Sequence, residues 1–421
     1  MLNYYNIDGS ICCTPADLPF EQASPADWKD GSLVYLVNNP GLDANRAAWK
    51  VTDPRTLTAH EDVSWLNGNA LHAVERGVLD DVTAEASEAG KLRAVNMAHP
   101  AWRTLLQGGF GGKKPEKKLR VHLLALGDVG STLLLGLRLL GADVIESIGI
   151  CDISEKAAAR WEFEINQIAY PWDYDALPQV DVVAAEDLMN CDAFIFVASK
   201  GIPPVGSGVK DVRMAQYENN KAIVSHYARQ ARAAGFKGLF CVVSDPVDAL
   251  ARAAWLASNK DDEGNFDGQG LLPEQVQGFG LGVMNARAAY YAKRDKERFG
   301  DFLTEGRAYG PHGQDLVIAN SIAKYDDERS RALTKLAVTA NMEMRALGYK
   351  PYVAPALSSG AISILLTLRG EWHYGAVYFG GIYMGCRTRY TPAGLETETV
   401  DMPEALFDRI RAAEAGLAAL K

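Results

Sequence analysis

The sequence predicts an α/β protein centred on a mostly parallel, doubly wound sheet, and three observations carry that reading. Apolar runs alternate with helical stretches from residue 119 onward, the first run turns through Leu126-Gly127-Asp128-Val129-Gly130 straight into an apolar helix, and the second run ends in Asp152. Strands that alternate with helices need crossover connections, and crossovers build parallel sheets.

Each element has its own signal. Leu119–Ala125 is a buried strand, followed by a helix from Gly130 to about Leu140, a strand over Ser147–Asp152 and a helix from Ser154 to about Ile168. Asp192–Ala198 and Gly238–Ser244 are further buried strands, with a long helix over about Met214–Ala234 between them. Such short apolar runs suit strands covered on both faces. Tyr325–Ala346 and Pro403–Leu420 read as helices, the second one a packing element.

The first turn carries chemistry. Glycines there let the backbone approach a pyrophosphate, whose charge meets free N–H groups and the positive end of the helix dipole. Asp152 lies about 20 residues further on, where a carboxylate accepts from ribose hydroxyls and repels a 2′-phosphate, so NAD is favoured over NADP. Ala125 stands where the G-x-G-x-x-G fingerprint has its first glycine. The expected NAD-binding residues are Gly127, Asp128, Val129, Gly130, Asp152, Ile153, Ala198 and Val243.

Upstream, Gln107–Lys118 replaces any apolar period with glycine, proline and lysine and reads as a linker. The residues before it hold β-like runs such as Ser32–Val37 and a helical segment near Gly68–Arg76, which suggest a small α/β or α+β domain without a chemical motif.

The 421-residue length suggests two or three domains, and 48% hydrophobic with 23% charged residues excludes a disordered or collagen-like chain. With 43 basic and 53 acidic residues the formal charge is −10, the wrong sign for a dedicated nucleic-acid or anionic-membrane binder. Charges interrupt every long apolar stretch, and no secretory leader is evident, so a cytoplasmic location is expected. The six cysteines show no C-x-x-C pair, which fits buried reduced thiols and no metal site.

Four later segments follow. Phe194-Ile-Phe-Val-Ala-Ser-Lys-Gly201 leads through a Pro/Gly-rich loop to Val212-Arg213-Met214, and Val243-Ser244-Asp245-Pro246-Val247-Asp248 follows a buried strand. Then come Gly278-Phe-Gly-Leu-Gly-Val-Met-Asn-Ala-Arg287 and Tyr309-Gly310-Pro311-His312-Gly313. With the nucleotide turn, this series resembles the lactate/malate dehydrogenase family in content and order, from about Leu119 to the C-terminus.

The resemblance implies a Rossmann-type sheet plus an α+β catalytic domain, preceded here by the small N-terminal α/β domain. The expected division is 1–106 for that domain, 107–118 for the linker, 119–262 for the NAD-binding domain and 263–421 for the catalytic domain. It further implies that Arg213 rides a closing loop and polarises the reacting C–O group, that Arg287 grips a substrate carboxylate, and that His312 is the general acid/base. Ser359 is expected in the pocket wall. Two positions depart from the pattern: Asp245 replaces the family's asparagine, and Met284 replaces the aspartate that pairs with the histidine. An ionised carboxylate accepts but cannot donate, so Asp245 opposes a developing alkoxide unless it is protonated.

The leading expectation is an NAD-dependent oxidoreductase interconverting a small 2-hydroxy acid and its 2-oxo acid, and a homo-oligomer as the family usually is. The alternatives are an amino- or imino-acid dehydrogenase in which Asp245 recognises an amine, and an NAD-binding protein that has lost catalysis.

Overall fold

The computed structural model describes residues 1–108, 117–200, 212–391 and 393–420, without the side chains of residues 29, 30 and 212–215. Most of the expected linker and all of the loop 201–211 lie outside the described residues.

The N-terminal unit is a six-stranded mixed sheet of β1 (Asn3–Ile7), β2 (Ser10–Thr14), β3 (Glu21–Gln22), β4 (Leu33–Val37), β5 (Ala48–Lys50) and β6 (Leu92–Asn96), ordered β3-β1-β2-β4-β6-β5. Its short helices are α1 (Gly68–Leu71), α2 (Asp81–Glu88) and α3 (Trp102–Leu105). The helix expected over 68–76 stops at Leu71, and its first turn is tied to neighbouring chain. Gly68 N–H donates to Val400 O at 3.0 Å, and the Asn69 amide to Met402 O at 3.2 Å. Cys12 and Cys13 are buried in β2, and burial pushes the Cys12 thiol up to about 12, which makes it a poor nucleophile.

The parallel sheet follows as β7 (Leu119–Leu124), α4 (Asp128–Leu140), β8 (Ile145–Cys151), α5 (Glu155–Ile165), β9 (Gln179–Val182), β10 (Ala193–Phe196), α6 (Val212–Ala233), β11 (Leu239–Val242), α7 (Val247–Ser258) and β12 (Val276–Gly278). Its strand order, β9-β8-β7-β10-β11-β12, is that of a doubly wound dinucleotide-binding sheet, as expected from the sequence, and it reverses direction between β7 and β10. The fully buried strands β10 and β11 split their side chains by parity. Phe194, Phe196, Phe240 and Val242 pack with α6 and α7, whereas Ile195, Leu239 and Cys241 pack with Leu133, Leu134 and Leu137 of α4. Helix α5 ends three residues before the expected Ile168. Asn166 instead pairs with Val180 on β9, donating to its carbonyl at 2.7 Å and accepting from its N–H at 3.1 Å.

The rest of the chain comprises α8 (Leu281–Arg294), α9 (Lys296–Phe299), α10 (Phe302–Glu305), the β13 (Arg307–Tyr309) and β14 (Val317–Ala319) pair, α11 (Asp327–Ala346), and a π-helical stretch Pro355–Ile362 that runs into α12 (Ser363–Arg369). Strands β15 (His373–Phe379), β16 (Ile382–Thr391) and β17 (Gly394–Thr397) are antiparallel to one another and extend the same sheet beyond β12, giving nine strands. Helix α13 (Glu404–Ala418) packs by Leu406, Phe407, Ile410, Ala413 and Leu417.

The N-terminal sheet shares a hydrophobic core with this extension: Tyr35, Trp49 and Trp65 lie in one cluster with Phe379, Met384 and Phe407. Buried polar groups cross the same junction. Arg46 donates to Glu61 and to the Tyr378 carbonyl at 2.8 Å, and Glu274 accepts from the N–H of Ala48 at 3.0 Å. No helix among the described residues is long and apolar enough to cross a membrane.

Candidate active site

The nucleotide end of the site is built at the reversal of strand order. Ala125, at the end of β7, holds φ +77°, a left-handed conformation that glycine adopts without strain and alanine does not. The position of the fingerprint's first glycine therefore keeps the glycine backbone geometry without the glycine. A Cβ on Gly130 would overlap the Ala125 carbonyl oxygen, so only glycine fits there. At Gly127 the space is open, and no side chain among the described residues caps the α4 N-terminus. Asp128, in the first turn, meets Lys350 Nζ at 2.8 Å.

Asp152 closes this end. Its carboxylate accepts from Leu126 N–H at 2.7 Å and from Ser154 N–H at 2.8 Å, tying the first turn to the second strand. A carboxylate has about four acceptor directions, so two backbone bonds leave capacity for a hydroxyl. Ile153 beside it is fully exposed, while Val129 is half-buried against the core. Ala198 and Val243 are half-buried at the ends of the neighbouring strands β10 and β11. Ser244 Oγ bonds the Ala198 carbonyl at 2.8 Å and joins these two chain ends.

The acid/base end forms where the β11–α7 turn meets the β13–β14 turn. His312 Nδ1 lies 3.2 Å from Asp245 Oδ1. Its other nitrogen, Nε2, is buried with no hydrogen-bond partner among the described residues. Gly280 allows this approach, since a Cβ there would stand 2.9 Å from His312 Cβ. Burial is the largest influence on the ring and favours the neutral form. The charge and hydrogen bond of Asp245, with a smaller contribution from Asp248, outweigh it and the opposing Arg287, so the imidazole holds its proton more tightly than usual.

Arg287 projects from α8, half-buried, and burial lowers its affinity for protons. Its Nη1 lies 3.5 Å from Met284 Sδ and 3.4 Å from Ala337 O, both weak partners for a guanidinium. The same side chain lines a cavity of about 800 Å³ that Asp128, Asn341, Lys350 and Tyr352 also border. One hollow thus runs from the nucleotide turn to the arginine.

Two expected residues stand differently. Ser359 is 2% exposed, accepts from Val283 N–H at 2.8 Å and donates to Gly280 O at 2.7 Å. It fastens the π-helical stretch to the start of α8 in place of the pocket-wall role, because the tight packing beside Gly280 and Gly282 buries its hydroxyl. Arg213 lies in the first turn of α6, and its side chain is outside the described residues.

Asn220 was not anticipated. It is fully buried on α6, accepts from Lys200 N–H at 2.9 Å, and donates to Ser199 Oγ at 3.3 Å and Asp245 O at 2.8 Å. The Asn219-Asn220 pair within a long helix was the available signal, since asparagine disfavours helix interiors unless its side chain has work elsewhere.

No family model matches the chain. Among curated proteins it is 30% identical over 157 residues to an L-lactate dehydrogenase of Treponema denticola, covering 37% of this chain and 46% of that one. It is also 29% identical over 213 residues to an L-lactate dehydrogenase of Mycoplasma pneumoniae, covering 49% and 60%. The matches thus span about half the length of these relatives. Among solved structures, a malate dehydrogenase from Archaeoglobus fulgidus in complex with NADH aligns with a TM-score of 0.57 at 17% identity, over 72% of this chain and 98% of its own. The malate dehydrogenase of Picrophilus torridus aligns at 0.59 and 18% identity, over 72% and 96%. These structures share the fold at low identity, and the sequence matches are to L-lactate dehydrogenases over part of their length.

Proposed function

We propose that the protein is an NAD-dependent oxidoreductase that interconverts a small 2-hydroxy carboxylic acid and its 2-oxo acid. The observation that carries this reading is the buried Nε2 of His312, without a partner among the described residues, on a ring whose Nδ1 meets a carboxylate. A desolvated imidazole nitrogen with no protein partner is suited to exchange a proton with a bound substrate.

The residues of the nucleotide turn fit NAD. Gly127 leaves room for a pyrophosphate, Gly130 lets the turn close against the Ala125 carbonyl, the α4 N-terminus offers N–H groups, and Asp152 offers acceptor capacity for ribose hydroxyls. When bound, NAD accepts or supplies the hydride.

The chain's own residues do the rest. Arg287 takes the substrate carboxylate through two parallel N–H···O bonds, its present partners being weak enough to yield. His312 Nε2 takes the hydroxyl proton in the oxidative direction and returns it to the carbonyl oxygen in the reductive one. To Arg213, at the start of α6, this reading assigns the stabilisation of charge on the reacting oxygen. With the two carboxylates Asp245 and Asp248 near it, His312 is biased toward the protonated form that reduction requires.

The test is the change in reduced-nicotinamide absorbance with a panel of 2-oxo acids. Turnover that falls about 10²–10⁴-fold in His312→Ala supports the reading. Tight NADH binding with no His312-dependent turnover of any acid refutes it and favours a protein that retains only the cofactor.

A further inference from the structure

The carboxylate that serves the histidine is missing from its expected place on α8, where Met284 stands. Met284 is 1% exposed, and its sulfur faces Arg287 Nη1 at 3.5 Å. A thioether carries no charge and is a weak acceptor, so this position neither orients an imidazole nor stabilises an imidazolium. The ring nevertheless meets a carboxylate, which comes from the turn after β11.

We propose that Asp245 is the positioning residue for His312 and has taken over the role that the α8 position lost. This rests on the function proposed above. Two changes that look separately harmful along the chain are then one relocation: the acid leaves position 284 on α8 and appears at 245, in the turn after β11.

Geometry supports the assignment. An Nδ1–H donated to Asp245 Oδ1 at 3.2 Å fixes the tautomer, which leaves Nε2 as the atom that exchanges a proton. Asp245 is itself held, because its main-chain carbonyl accepts from buried Asn220 at 2.8 Å. His312 is held by the absence of a Cβ on Gly280. Among the described residues, the charged groups acting on the ring are Asp245 from the β11–α7 turn, Asp248 from the first turn of α7, and Arg287 from α8. Of these, Asp245 alone has a hydrogen bond to the ring.

The relocation also answers the chemical objection to an acid at this place. Alone, a carboxylate opposes an alkoxide forming nearby. Beside an imidazolium its charge is compensated, and it favours the form of His312 that holds the proton. In oxidation the substrate O–H bond breaks and the Nε2–H bond forms as hydride leaves the same carbon for the nicotinamide and the C=O bond forms. The positive charge gained by the ring is balanced by Asp245, and reduction runs through the same pair in reverse.

The experiment is a titration of the His312 Cε1–H signal by NMR in the full-length protein without cofactor or substrate, the signal being assigned by its loss in His312→Gln. In Asp245→Asn the midpoint is expected to fall by about one unit or more, with the fold retained by circular dichroism. The alkaline limb of the kcat profile for reduction should move with it, while KM changes by less than about threefold. Asp245→Glu should hold the midpoint near the wild-type value, and Asp245→Asn combined with Met284→Asp should recover part of it. If Asp245→Asn does not fold, Asp245→Ser serves as the removal variant with the same expected fall.

An unchanged midpoint in a folded removal variant overturns the proposal. So does a 2-amino acid that turns over only with Asp245 while His312 titrates normally, since the carboxylate then belongs to the substrate amine. The NMR readout needs no turnover, so failure of the functional reading and failure of this pairing remain distinct results.

Discussion

The side-chain amide of Asn220 donates to the main-chain carbonyl of Asp245 at 2.8 Å, while its oxygen accepts from Lys200 N–H at 2.9 Å. One buried side chain thus joins the end of β10 to the turn after β11, the two chain ends that flank the site. Asn220→Ala leaves a buried N–H and C=O without partners and is expected to cost about 2–4 kcal/mol, read by urea unfolding. Asn220→Asp should cost as much, because it turns a second acceptor toward the Asp245 carbonyl. Asn219→Ala, at the exposed neighbour, should stay within about 0.5 kcal/mol.

Gly130 and Ala125 make a matched pair. Gly130→Ala forces a methyl into the Ala125 carbonyl and opens the turn, so NADH affinity, followed by its fluorescence, should fall at least tenfold. Ala125→Gly relieves a left-handed alanine and is expected to stabilise the protein by about 1 kcal/mol in thermal unfolding. A loss of stability in Ala125→Gly would show that the turn is not strained.

Arg287 tests substrate binding. Arg287→Lys keeps the charge and removes the planar fork, so kcat/KM for a responsive 2-oxo acid should fall about 100-fold with NADH affinity unchanged. Stability should change little, because its protein contacts are a sulfur and a carbonyl at 3.4 Å or more. An equal loss in both ligands would place Arg287 elsewhere.

Glu274 governs stability against pH. It is buried at the junction with the N-terminal sheet, and burial, reinforced by Glu61, pushes its carboxyl from 4.5 to about 7, against its backbone hydrogen bonds and Arg46. The folded state therefore holds a proton that the unfolded state releases between those values. The contribution is fully present below about pH 4.5 and is lost as pH rises through about 7. The loss is on the order of 3 kcal/mol. Glu274→Gln keeps an acceptor for Ala48 N–H and should flatten this dependence, so the wild type loses more stability than the variant between pH 5 and pH 8.

The parts of the molecule legible in the sequence are those set by local rules. The doubly wound sheet followed from apolar runs of strand length, the nucleotide turn from Gly127 and Gly130, and its closing acid from Asp152, because periodicity and backbone sterics act over a few residues. Segment ends drifted where distant groups intervened. Asn166, for one, ends α5 by pairing with β9.

Read along the chain alone, the sequence determined the fold class, the placement of the nucleotide turn, and the candidates His312 and Arg287. Only the tertiary structure decided that Asp245 faces His312, that Met284 turns to Arg287, that Ser359 is a fastening in the scaffold, and that the N-terminal sheet shares a core with the end of the large one. Asp245 and His312 are 67 residues apart in sequence, and no local pattern links them. Their meeting depends on the packing of the β11–α7 turn against the β13–β14 turn, a contact that exists only once the sheet has brought those turns together.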